Sequence, residues 1–416
     1  MSLLNSLATD HFPTLSTAER DRRWALLRDF LTTHGLDALV VFGWGRHTYD
    51  QYLTGEQQGS VVVLTHTGEP VSIAGDVPLE HYDEAGTRYP RWVNDIRIGD
   101  PADRLPEILA EHSLTAGTLG IVGLTSRSVD EWDGVIPYTT WQAVASKLPK
   151  ATFVDVGDAF ETLVMVKSPE ELTMVRKAAE IGELACAAFA DAVRPGVLES
   201  AAPAAALHAI VANGGWTAEP WILERAGSSR FAWGRPEWMS MGGAPHTLRR
   251  GDSIAAEIFS FYGGFESQQQ MDVCLGEPDR LLRELEEVCL ESYRAGIDAL
   301  RPGIRFAELC EIMHEPLHRS RTWNTGPLVQ TISPVIYNGA TRVNPQVDPA
   351  LAHLPSLPVG VGLDGDFTVT EGVVFAFEPN ALRDGKRVCI GGTVIMGPDG
   401  PEELNTLPNR LIVVEA

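Results

Sequence analysis

A chain of 416 residues is long enough for two domains and a large core. Its composition, 44% hydrophobic and 21% charged, is that of a globular protein, and a net charge of -23 argues by repulsion against nucleic acid and anionic membranes as partners. No run reaches the roughly 18 apolar residues of a membrane span, and the opening MSLLNSLATDHF lacks the basic start and apolar core of a secretory signal, so a cytoplasmic location is expected. The five cysteines, Cys186, Cys274, Cys289, Cys310 and Cys389, are scattered and form no Cys-x-x-Cys pair, which suits reduced core residues.

In chain order, TAERDRRWALLRDFLTTHGL has helical periodicity and predicts a helix that stops at Gly35. DALVVFGW predicts a buried strand, and GSVVVLTHTGEPVSIAG a hairpin turning at Thr67-Gly68-Glu69. ADRLPEILAEHSL and WQAVASKLPKA read as helices on either side of a strand in GTLGIVGL. This alternation predicts an α/β domain over residues 1–165. A new helix opens at Ser168-Pro169-Glu170-Glu171, where serine can cap, proline suits the first turn and the acidic pair complements the helix dipole. It runs to Val193 and stops at Arg194-Pro195-Gly196. A second long helix, from about Pro278 to Leu300, stops at Arg301-Pro302-Gly303, so residues 166–416 carry a hint of internal duplication.

Between these helices, Trp216, Trp221, Trp233 and Trp238 alternate with Arg225, Arg230 and Arg235. Aromatic rings with guanidinium groups can hold a planar or carboxylated small molecule. Arg230, Arg235, Trp233 and Trp238 are therefore candidate substrate contacts, with core and rim packing as the other reading. Tyr262 with Gly263-Gly264 predicts a hairpin tip, and Tyr262 is a further candidate for the pocket wall.

The most telling stretch is VVFAFEPN, residues 373–380, followed after a short hairpin by VCIGGTVIMGPDG. Together with the Gly251-Asp252 turn, the Lys167-Ser168-Pro169-Glu170-Glu171 opening and RHTYDQYLTG near the start, it resembles the pita-bread hydrolases: creatinase, aminopeptidase P and prolidase. The resemblance implies an α/β N-terminal domain and an α+β pita-bread C-terminal domain with a curved antiparallel sheet. It also implies a homodimer, in which Arg46 or His47 of one subunit lies near the pocket of the other.

In the metallopeptidases of that family two aspartates, a histidine and two glutamates bind a pair of metals. The resemblance places Glu257 and Gln268 at the aspartates, Gln330 or a neighbour at the histidine, and Glu378 and Gly391 at the glutamates. Two divalent ions at about 3.5–4 Å need bridging carboxylates to offset their repulsion. No metal or other cofactor is therefore expected. Creatinase, which works without metal through a histidine and glutamates, is the nearer analogy; it places Gln270 and Glu378 at two glutamates, and Pro245-His246 offers the histidine.

The expected site thus comprises Glu378, Glu257 and His246 as catalytic residues, with Gln268, Gln270 and Gln330 among the substrate contacts. The expected activity is metal-independent hydrolysis of a C–N bond in a small amide, amidine or cyclic amidine. A binding protein without activity, an Xaa-Pro metallopeptidase and a C–heteroatom lyase are the alternatives.

Overall fold

The computed structural model describes residues 12–43, 49–56, 59–75, 91–125, 135–217, 222–227, 235–333, 337–339 and 366–415, with backbone alone for 222–227. The chain divides into two compact units. One is Thr14–Val164; the other runs from Met165 to the end and takes in the described residues Phe12 and Pro13.

The first unit contains α1 (Thr17–His34), β1 (Ala38–Phe42), α2 (Gln51–Thr54), β2 (Val61–Thr65), β3 (Val71–Ala74), β4 (Asp95–Ile98), α3 (Pro101–Glu111), β5 (Thr118–Val122), α4 (Tyr138–Lys147), β6 (Thr152–Asp155) and most of α5 (Gly157–Met165). Its six strands form one mixed sheet in the order β4-β3-β2-β1-β5-β6. The expected helix stop is seen at Gly35, whose φ of 63° lies in the left-handed region that favours glycine. The hairpin expected around Gly68 is the antiparallel β2–β3 pair.

The second unit opens with α6 (Pro169–Ala192) and α7 (Ala201–Ala212). Ser168 closes a full capping box: its hydroxyl accepts from the Glu171 N–H, and Glu171 accepts from the Ser168 N–H. Then come β7 (Ile222–Gly227), α8 (Glu237–Ser240), β8 (Ser253–Tyr262), β9 (Phe265–Leu275), α9 (Arg280–Ala299) and α10 (Phe306–Ser320). The remainder is β10 (Val329–Thr331), β11 (Val374–Phe377), β12 (Asn380–Arg383), β13 (Lys386–Cys389), β14 (Gly391–Gly397), β15 (Gly400–Glu403) and β16 (Ile412–Val414). The second long helix starts two residues later than its sequence suggests, because Asp279 caps it by accepting from the Leu282 N–H.

A curved antiparallel sheet in the order β10-β11-β14-β9-β8-β7 forms the centre of this unit. The duplication hinted at by the two Arg-Pro-Gly stops has a structural counterpart. Each long helix turns at a left-handed glycine, Gly196 or Gly303, into a second helix. Each of those glycines also donates its N–H to a distant backbone carbonyl, Leu248 for the first and Val369 for the second. The helices cover one face of the sheet. Ser260 bonds the Ala178 carbonyl of α6 at 2.8 Å, and Phe306, Leu309 and Met313 of α10 share a core with Phe375 and Phe377. Side chains of alternate parity on β8 and β9 are left for the opposite face. No helix among the described residues is long and apolar enough to cross a membrane.

Candidate active site

The β8–β9 hairpin turns at Gly263 and Gly264, with φ of 54° and 85°, which fixes its register. Glu257 faces Gln270 across the pair, and Phe259 faces Gln268. Strand alternation therefore gathers Glu257, Glu266, Gln268, Gln270 and Asp272 on one face and turns Gln269 towards α6. Glu378 arrives from the end of β11 and Gln330 from β10, the next strand.

The side-chain amides make two short sets of hydrogen bonds among these groups. Gln270 donates from Nε2 to Oε1 of Glu257 at 3.1 Å. Gln330 donates to Oε1 of Gln268 at 3.1 Å, and Gln268 donates onward to Oε1 of Glu266 at 2.7 Å. The structure thus brings together five of the residues anticipated from sequence: Glu257, Glu378, Gln268, Gln270 and Gln330.

Glu378 is 2% exposed, and its Oε1 has no hydrogen-bond partner. Its backbone is tightly held. The Glu378 N–H donates to the Leu328 carbonyl at 2.9 Å, and its own carbonyl accepts from Nδ2 of Asn380 at 3.2 Å. Asn380 in turn accepts from the Thr325 N–H. Burial pushes the Glu378 carboxyl well above the usual carboxylate range, and the charge of Glu257 adds to the rise; the Arg387 guanidinium opposes it.

Glu266 and two further members of the cluster, Asp272 and Arg387, went unnoticed in the sequence. Asp272 lies two residues beyond Gln270 on the same face, and its Oδ2 accepts from the Cys389 N–H at 2.7 Å. Burial raises its pKa to about 7, against the pull of that bond and of Arg387. Arg387, on β13, is itself buried and donates to the Thr325 carbonyl at 3.1 Å. The period of two that runs through Gln268, Gln270 and Asp272 was the available signal for Asp272; for Arg387, in a short polar hairpin, there was none.

Other anticipated residues go elsewhere. His246 is bonded outside the Glu257–Glu378 pair: its Nε2 bonds Oδ2 of Asp252 at 2.8 Å, and its N–H donates to Oε1 of Glu199. Asp252 precedes β8, and five residues of strand at about 3.3 Å each separate it from Glu257. The Pro245-His246 run therefore serves the turn. Tyr262 differs in strand parity from Glu257, so it sits on the α6 side, where its hydroxyl donates to the Pro13 carbonyl at 2.9 Å. Arg235 is exposed, and Trp238 is half-buried on α8. Arg46, His47, Trp221, Arg230 and Trp233 lie outside the described residues. Trp216 packs its ring on Phe261 at 4.7 Å. The cysteines are buried, and burial raises the thiols of Cys186, Cys274, Cys289 and Cys389, so none of these four is set up as a nucleophile.

The donor set does not fit a pair of divalent ions. Gln268 and Gln270 offer neutral amides, and Gly391, with a φ of 135°, offers nothing. A side chain there is barred as well: a Cβ on Gly391 would lie 1.9 Å from the Phe377 carbonyl oxygen. Among the described residues no three His, Cys, Asp or Glu groups converge as metal ligands. What the arrangement can do is hold one neutral carboxylic acid beside a second carboxyl group in a buried setting.

Comparison with known proteins identifies the family and the fold. Residues 173–397 match the sequence profile of metallopeptidase family M24, and residues 23–166 match that of the creatinase/prolidase N-terminal domain. The chain is similar to creatinase from Bacillus sp. (strain B-0618), 25% identical over 330 residues that cover 76% of this chain and 75% of that protein. It is likewise 25% identical over 347 residues to the probable dipeptidase PepE of Mycobacterium bovis, covering 76% of this chain and 83% of the relative. In fold it resembles the crystal structure of dipeptidase PepE from Mycobacterium ulcerans, with a TM-score of 0.71 and 19% identity over 97% of this chain and 100% of the other.

Proposed function

This chain belongs to metallopeptidase family M24 and carries the creatinase/prolidase N-terminal domain, and from that premise we propose that it is a metal-independent hydrolase of a C–N bond in a small non-peptide amide, amidine or cyclic amidine. One observation carries the reading: Glu378 is buried with a free Oε1 and held towards its neutral form beside Glu257. A neutral carboxylic acid can give its proton to a departing nitrogen, and Glu257, oriented by Gln270, can accept one from attacking water. The amides of Gln268, Gln270 and Gln330 supply fixed polar contacts where a metallopeptidase would need charge.

The test is a thermal-shift screen of amidino acids, cyclic amidines and small amides, with each hit assayed for turnover with and without a chelator. Turnover that survives chelation is expected. Cleavage of an Xaa-Pro dipeptide that chelation abolishes would restore the metallopeptidase reading, and ligands that stabilise without being consumed would favour a binding protein. We further propose a cytoplasmic homodimer in which Arg46 or His47 closes the partner's pocket; light scattering and assay of the Arg46→Ala and His47→Ala proteins read this directly.

A further inference from the structure

Glu378 stands at a break in the sheet. β11 ends at Phe377 in the main sheet, and β12 begins at Asn380 in a separate two-stranded pair with β13. The segment before β10 runs antiparallel beside this break: Trp323 exchanges both backbone bonds with Leu382, and the Leu328 carbonyl accepts from the Glu378 N–H at 2.9 Å. Between those two points a backbone ladder cannot close. Pro327 and Pro379 have no N–H to give, and residues 324–327 outnumber residues 379–381 by one.

The side chain of Asn380 fills that gap. It is fully buried and makes three bonds: its Oδ1 accepts from the Thr325 N–H at 3.0 Å, and its Nδ2 donates to the Pro327 carbonyl at 2.9 Å and to the Glu378 carbonyl at 3.2 Å. The turn is held independently on its other side, by Nδ2 of Asn324 on the Gly326 carbonyl at 2.7 Å and by Arg387 on the Thr325 carbonyl at 3.1 Å. Asn380 is thus braced against a fixed turn and grips the peptide that carries Glu378. Gln330 does not need this brace, because β10 pairs with β11 through its own ladder from Val329 to Thr331.

We propose that Asn380 is a positioning residue for the reaction, a role that rests on Glu378 being the proton donor: it fixes the Glu378–Pro379 peptide, and through it the direction in which the Glu378 carboxyl is presented. A displacement of about 1 Å at a reacting group can cost a hundredfold in rate, so the loss of one clamp is enough to matter.

Asn380→Ser shortens the side chain and removes the amide. With a substrate from the screen, kcat should fall at least about tenfold while KM stays within about threefold. The same substitution in a Glu378→Gln background should change kcat by less than about threefold, because no acid is left there to position. An equal factor in both backgrounds would overturn the proposal alone, as would a lower melting temperature with kcat intact; full activity in Glu378→Gln by itself would sink the proton-donor reading and the proposal with it. If the serine variant does not fold, Asn380→Asp, which keeps the shape and the acceptor for Thr325, takes its place in the same cycle. Hydrogen exchange on the unaltered protein needs neither variant nor substrate. The Thr325 and Glu378 amides should exchange slowly and at a common rate, and rapid exchange at Thr325 would show that the clamp does not close.

Discussion

Gln270 donates its side-chain amide to Glu257 directly across the β8–β9 pair, at 3.1 Å. The amide does what a metal or a second cation does elsewhere: it lets a carboxyl group sit 4% exposed without an unmet oxygen at that position. Gln270→Glu removes the donor and sets two carboxyl groups opposite each other. Stability at pH 8 should fall by about 1–3 kcal/mol in urea titration. The loss should shrink at pH 5, where one of the pair can hold a proton and act as donor. An equal loss at both pH values would mean that the charge of Glu257 is unimportant.

Gly391 stands where the resemblance expects a metal-binding glutamate, and its backbone shows why putting one back will fail. The Phe377 carbonyl oxygen fills the place of the missing Cβ at 1.9 Å, and a φ of 135° is strained for any side chain. Gly391→Glu should lose about 1–3 kcal/mol from the backbone alone, and elemental analysis should find no gain in bound manganese, zinc or cobalt. Stoichiometric metal uptake by this variant would show that the strand can revert to a ligand-bearing register.

The long helices, their caps and the hairpin turns were legible because each rests on local chemistry: Gly35 and Gly196 at helix stops, Ser168 with Glu171 in a capping box, Gly263-Gly264 at a hairpin. Glu257, Gln268 and Gln270 were picked out by the resemblance to the pita-bread hydrolases, and strict strand alternation is what puts them on one face. The partner of His246 was not legible, because a Pro-His pair says nothing about what the ring will bond. Asp252, six residues on, captures it. Arg387 and Asn380 escaped notice for a related reason: their importance lies in contacts with Thr325, some sixty residues away in the chain.

Asp272 makes stability depend on pH. Its folded pKa of about 7 lies above the ordinary 3.8. Below about pH 4 it is protonated whether the chain is folded or not, and costs nothing. As pH rises, the unfolded chain ionises while the folded one keeps its proton, so stability falls until about pH 7 and then levels off. The decrease between pH 5 and pH 8 should be on the order of 2 kcal/mol. Asp272→Asn retains an oxygen for the Cys389 N–H and should flatten that part of the curve. A variant with an unchanged pH profile would place the titration elsewhere.

Glu378→Gln distinguishes a catalytic carboxyl from a relic of the family's metal site. Because burial already holds Glu378 towards its neutral form, the neutral amide of the same shape should leave the melting temperature almost unchanged at pH 7. It cannot, however, release a proton to a leaving nitrogen. Turnover of any substrate found by the screen should fall at least about a hundredfold, while affinity for that substrate stays within a few fold, since shape and hydrogen bonding are kept. Full activity in this variant would remove Glu378 from the proton path. Glu257 would then be the group to vary, as the other carboxyl of the buried pair.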